Sequence, residues 1–137
     1  MTRLSFHKDA GIDLQGRALD AHLAQLGLQA DQLEVALDAP NGVVRVSGCA
    51  RDQDTRERIV LCCGNVRGVA EVDDCMTVVM PSEVSRWRFV QPGETLARIA
   101  LDLYRDASKA QLLHSANQPL IGADNDLAAG WLLRVPV

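Results

Sequence analysis

With 137 residues and a formal net charge of −4, the chain has room for one domain or two small ones and carries no basic footprint for nucleic acid. Its apolar content is ordinary, and no uninterrupted apolar run is long enough to span a bilayer. Residues 1–9 lack the apolar core of a secretory signal, so the cytoplasm is the expected compartment.

In chain order, Phe6 to Gly11 reads as a turn of helix stopped at the glycine. Leu19, Leu23 and Leu26 recur at helical spacing, and Gly27 closes that helix; His22 falls between them as a packed or half-exposed histidine. Leu33 to Asp38 alternates apolar with polar or small residues and predicts a strand. Ala39-Pro40-Asn41-Gly42 is hairpin chemistry, with Val44, Val46 and Gly48 on the returning strand. Asp52 or Asp54 caps the next helix, which carries Ile59, Cys62, Cys63 and Val66 on one face. A long strand is expected over residues 69–80, then a short linker over 81–85.

The turn that follows the second helix, residues 63–72, draws the most attention. Gly64 stands where a helix ending at Cys63 would take a left-handed cap. The last carbonyls of a helix have no partner inside it and carry the negative end of its dipole. A glycine-bounded turn there can gather several oxygens around a cation.

The other chemistry is sparse. Cys49, Cys62, Cys63 and Cys75 form no CxxC pair, and His7, His22 and His114 are scattered. Reduced thiols packed as small hydrophobes are expected rather than zinc. No nucleophile-base pairing, phosphate loop or metal-ligand helix motif is present, so a non-enzymatic protein is expected.

The α-β-β-α-β order over residues 18–80, with Gly68-Val69-Ala70-Glu71-Val72-Asp73-Asp74 after the second helix, resembles the BON domain. Such domains are small α/β units associated with phospholipid binding or interaction. Residues 86–137 open on Trp87-Arg88-Phe89-Val90-Gln91-Pro92-Gly93-Glu94-Thr95-Leu96 and close on Gly130-Trp131-Leu132-Leu133-Arg134-Val135-Pro136. This β-α-α-β pattern resembles a LysM domain. Arg88, Glu94, Ala129 and Trp131 depart from it; Ala129 and Trp131 stand where proline and glutamine are typical. The expected fold is therefore α+β in two small domains, with residues 1–17 packed on the first.

The whole arrangement resembles the small cytoplasmic potassium-binding proteins of bacteria. That resemblance implies one K⁺ held by main-chain oxygens, with compaction of the two domains and a role as a sensor or buffer. The matching oxygens belong to His7, Ala10 and Ile12 in the N-terminal segment and to Gly64, Val66 and Val69 in the turn. Asp9, Asp13, Glu71, Asp73 and Asp74 lie near in sequence and can add a diffuse negative field. The LysM resemblance implies an alternative, a groove for peptidoglycan or another N-acetylglucosamine glycan. It would be formed by Gly93, Glu94, Thr95 and Leu96 with Asn117, Pro119, Leu120 and Ile121. A glycan or an unidentified protein is then the partner, and a monomer the expected state.

Overall fold

The computed structural model describes residues 2–136. The chain runs β1 (Thr2–Ser5), α1 (Leu19–Gln25), β2 (Asp31–Asp38), β3 (Val43–Asp52), α2 (Gln53–Gly64), β4 (Glu71–Asp74) and β5 (Thr77–Met80), then β6 (Arg86–Phe89), α3 (Leu96–Tyr104), a 3-10 turn over Ala107–Lys109, α4 (Ala110–Ala116) and β7 (Leu132–Val135). β3 is the centre of the first sheet. It takes β2 antiparallel on one edge; on the other it takes β4 along its first half and β5 along its second, both parallel. β1 closes the sheet against β4, with Thr2 opposite Asp74 and Ser5 opposite Glu71.

The hairpin is where Asn41-Gly42 placed it. Gly42 takes φ +67 and donates to the Asp38 carbonyl at 2.8 Å. Three local expectations need correction. The single strand over 69–80 is two strands, because Cys75 steps out to donate to Val46 O while the Asp74 carboxylate takes the Met76 N–H. The chain thereby shifts from one half of β3 to the other. Residues 2–5 form an edge strand that apolar alternation did not announce, followed by a turn rather than a turn of helix. Gly64 is the last residue of α2 and has no left-handed φ.

α1 buries Leu19, His22 and Leu23, and Gly27, φ +76, turns the chain away just past its C-cap Leu26. Burial and the nearby Arg17 charge both hold the His22 imidazole below its usual pKa. α2 begins at Asp52, whose carboxylate accepts from the Thr55 N–H at 2.8 Å. Its second half, Ile59 to Gly64, is buried on every side rather than along the one expected face, and Val66 lies beyond the helix in the turn. A helix apolar all round needs cover all round. The sheet supplies one side and the C-terminal unit another, since α2 touches β3, β4, β5 and β7.

In that unit β6 and β7 pair antiparallel, from Arg86 opposite Val135 to Phe89 opposite Leu132. α3 starts on Thr95, whose hydroxyl accepts from the Arg98 N–H at 3.2 Å. The β-α-α-β order is as expected, but the two units share one continuous hydrophobic cluster, from Phe6 and Leu23 through Leu61 and Val66 to Ile99, Leu113 and Leu133. Polar bonds reinforce the seam. Buried Arg134 pairs with Glu57 and Asp54 at 3.0 Å each and donates to Ala116 O. Glu57 in turn accepts from the Ser85 amide and hydroxyl and from Gln53. A buried ion pair is tolerable only when its remaining lone pairs and protons are used, as these are. Burial pushes the Asp54 carboxyl up, but its bonds to Arg58 and Arg134 outweigh this and hold it below the ordinary range. Ser85, at the end of the expected linker, is buried in this network, while residues 81–84 are exposed.

Candidate functional site

The N-terminal segment crosses the end of α2 and is laced to it by backbone bonds. Phe6 N donates to Ala70 O at 2.8 Å, Ile12 N to Asn65 O at 2.8 Å, Arg67 N to Ile12 O at 2.9 Å and Gly68 N to Lys8 O at 2.6 Å. Ile12 and Val66 form a parallel bridge. Two glycines make the crossing possible. A Cβ on Gly11 would lie 2.3 Å from the Val66 carbonyl carbon, and one on Gly64 would lie 2.1 Å from the Phe6 ring. Such distances exclude any side chain there, so the segment lies directly on the turn's backbone and Phe6 lies on the helix end. Further along, β1 is tied by Arg3, which forks onto Asp73 at 2.8 and 3.3 Å.

Four of the six sequence-predicted carbonyls accept identified hydrogen bonds. His7 O accepts from Ala10 N at 3.0 Å, within the turn of the segment. Ala10 O accepts from the Trp131 indole Nε1 at 3.1 Å. Ile12 O is taken by Arg67 N, and Val66 O by Val69 N at 3.0 Å. Gly64 belongs to the last turn of α2, whose carbonyls lack onward helical partners. Val66 and Val69 are buried, whereas the His7 side chain is exposed. A carbonyl oxygen has two lone pairs, so one N–H donor does not exhaust it. The structure thus brings the two predicted stretches together.

Several contributors escaped the sequence reading. Asn65 caps α2 with its side-chain amide fully committed: Nδ2 donates to Leu61 O and Leu132 O, and Oδ1 accepts from Leu132 N, all at 2.9 Å. Its backbone carbonyl holds Ile12, so one residue joins helix, segment and β7. Trp131 reaches Ala10 across the chain, and Lys8 supplies an oxygen to the turn. The one available signal was a leucine four residues before an asparagine at a helix end, which occurs at Leu61/Asn65 and again at Leu113/Asn117.

The nearby acids behave differently from expectation. Asp73 is engaged by Arg3 and Arg45, Glu71 lies 3.7 Å from Arg3, and Asp74 pairs with Arg56 at 2.7 Å. The Arg3 hydrogen bond keeps the Asp73 carboxyl below its usual range. These three supply little unbalanced field; Asp9 and Asp13 remain exposed. Among the described residues, no group of three or more His, Cys, Asp or Glu side chains is placed to hold a metal ion. Burial pushes the Cys62 thiol up to about 12 and the Cys63 thiol higher still, so both stay protonated at neutral pH.

The residues of the glycan alternative do not converge in the same way. Leu96, Leu120 and Ile121 are core. Asn117 is wholly buried, with its amide bonded to Leu113 O, Arg134 O and Arg134 N. Glu94 accepts from Arg88 and from Gln91 N. Gly93 and Thr95 are exposed, and Pro119 is half-buried.

A sheet with two helices, a fifth strand displaced along β3, and a strapped helix-end turn characterise the first part of the chain. Residues 16–80 match the BON domain family. That match covers α1 to β5, so the N-terminal strap lies ahead of the BON region and the β-α-α-β unit follows it. The chain is also similar to Potassium binding protein Kbp of Escherichia coli O6:H1, 28% identical over 148 residues and 99% of each chain. This second likeness runs through the strap, the BON region and the C-terminal unit alike. Among the described residues no helix is long and apolar enough to cross a membrane.

Proposed function

We propose that the protein is a non-enzymatic binder of K⁺, acting in the cytoplasm as a sensor or buffer. The ion is held by main-chain oxygens of His7, Ala10, Ile12, Gly64, Val66 and Val69, where the N-terminal strap meets the end of α2. The observation that supports this reading is the lacing of strap to turn by four backbone bonds, which makes the two segments that carry these residues neighbours. The full-length likeness to a potassium binding protein supports it.

Physical chemistry favours a large monovalent ion at such a place. Neutral carbonyls give a weak field, which suits a cation that sheds water readily. Mg²⁺ keeps several waters, and Ca²⁺ sites usually include carboxylates. An ion bridging strap and turn binds the closed arrangement better than an open one, so it compacts the molecule by that difference in affinity. The glycan alternative is the weaker reading, since Asn117, Leu96, Leu120 and Ile121 are used internally.

Titration calorimetry at constant ionic strength tests the proposal. KCl is expected to give saturable heat with one site per chain, and NaCl to give much weaker binding. Absence of heat with K⁺, Rb⁺ and Cs⁺ alike, together with retention on purified peptidoglycan, would reverse the choice.

A further inference from the structure

Trp131 lies in the C-terminal unit, outside the BON region, yet its indole N–H ends on the carbonyl of Ala10, 121 positions away in sequence. The residue is firmly held. Its own carbonyl accepts from Val90 N at 2.8 Å, and its N–H donates to Ala128 O at 3.2 Å. The neighbouring Gly130 takes φ +89, and a Cβ there would lie 2.6 Å from the Ala10 Cβ. Residues 130 and 131 therefore form a rigid wall against which the strap is pressed at Ala10. Trp131 is also a position where the LysM-like pattern ordinarily carries glutamine.

We infer that Trp131 is a positioning residue that sets the ion preference of the proposed site through the Ala10 carbonyl. This rests on the K⁺ reading above. An indole N–H is a donor only and cannot ligate a cation, so its action passes through the oxygen it holds. It does two things to that oxygen. It fixes the direction of the C=O, leaving one lone pair for an ion. It also draws electron density toward the shared proton, which weakens the field the carbonyl presents. Discrimination between K⁺ and Na⁺ depends on the geometry and field strength of such dipoles. A weaker oxygen penalises the smaller, more tightly hydrated Na⁺ more than K⁺.

Trp131→Phe keeps an aromatic ring in the wall and removes the N–H. Calorimetry on wild type and Trp131→Phe, with KCl and then NaCl at matched ionic strength, reads the effect. Without the N–H the Ala10 oxygen presents a stronger and less fixed field, and the K⁺/Na⁺ affinity ratio is expected to fall about three- to tenfold, the scale of one net hydrogen bond. An unchanged ratio overturns the inference, whether both affinities hold or both decline together, because a purely structural role moves them in parallel. Wild type that binds no K⁺ fails the underlying reading instead. If Trp131→Phe does not fold, the wild-type indole Nε1–H resonance decides, assigned against Trp87→Phe. It is expected to shift with K⁺ and stay with Na⁺; an indole proton unmoved by saturating K⁺ refutes the role.

Discussion

A Cβ added at Gly64 would lie 2.1–2.2 Å from three carbons of the Phe6 ring, while the residue's own backbone is helical. Glycine therefore stands at a position where propensity opposes it and a neighbour's ring requires it. Ordinarily alanine is better than glycine in a helix by up to about 1 kcal/mol. Here Gly64→Ala should destabilise by about 1–3 kcal/mol, the usual cost of overpacking a tight core. With Phe6→Ala as background the ring is gone, and the same substitution should become neutral or stabilising. Chemical denaturation of the four proteins in that cycle measures the coupling; additive effects would mean that the ring does not constrain Gly64. At this scale the cysteines also resolve, since a thiol raised by burial on α2 is packing material rather than chemistry.

β7 shows how an element can be finished by side chains. One edge pairs with β6. Among the described residues no strand pairs with the other edge, and two asparagines take its place. Asn65 bonds the N–H and C=O of Leu132, and Asn117 bonds those of Arg134. Each amide substitutes for a peptide group and caps its own helix with a further bond to Leu61 O or Leu113 O. An edge left bare in a buried seam would carry unpaired polar groups at several kcal/mol. Asn117→Leu keeps the size and strands the Arg134 N–H and C=O. Each orphaned group should cost about 1–3 kcal/mol, and amide exchange at Arg134 should accelerate to match. Full stability in this variant would show that water reaches the edge and satisfies it.

For the whole molecule the consequence is a seam too well bonded to be a flexible joint. Arg134, Glu57, Asp54 and Ser85 lie in it, Arg58 crosses to Ser115 O and Gln118 O, and the apolar cluster passes through. Ion-coupled ordering should therefore lie in the strap, with the seam held as it is. K⁺ then stabilises by RT ln(1 + [L]/Kd), about 2.7 kcal/mol at a hundredfold excess over Kd. In a chain of this size that raises Tm by several degrees, at roughly 2–5 °C per kcal/mol. Melting in KCl against NaCl at equal ionic strength should show the rise. Equal Tm in the two salts up to cytoplasmic concentrations would mean that the ion does not discriminate between closed and open forms.

Local chemistry was legible before any coordinates. The Asn41-Gly42 turn, the Asp52 and Thr95 caps, the Gly27 stop and the periodicity of α1 are decided by residues within a few positions of each other. For the same reason most of the strand-helix order could be read, β1 and the break at Cys75 excepted, and with it the resemblance to a BON domain. Only the tertiary structure settled what depends on residues far apart. Gly64 is explained by Phe6, Ala10 by Trp131, Asn65 by Leu132, and the broken strand at Cys75 by its bond to Val46. A glycine kept for a left-handed turn and one kept for an approaching ring are spelled alike. A carbonyl leaves no mark in the sequence at all, because every residue has one. The place where strap and turn meet is a property of backbone geometry, and backbone geometry is what long-range packing decides.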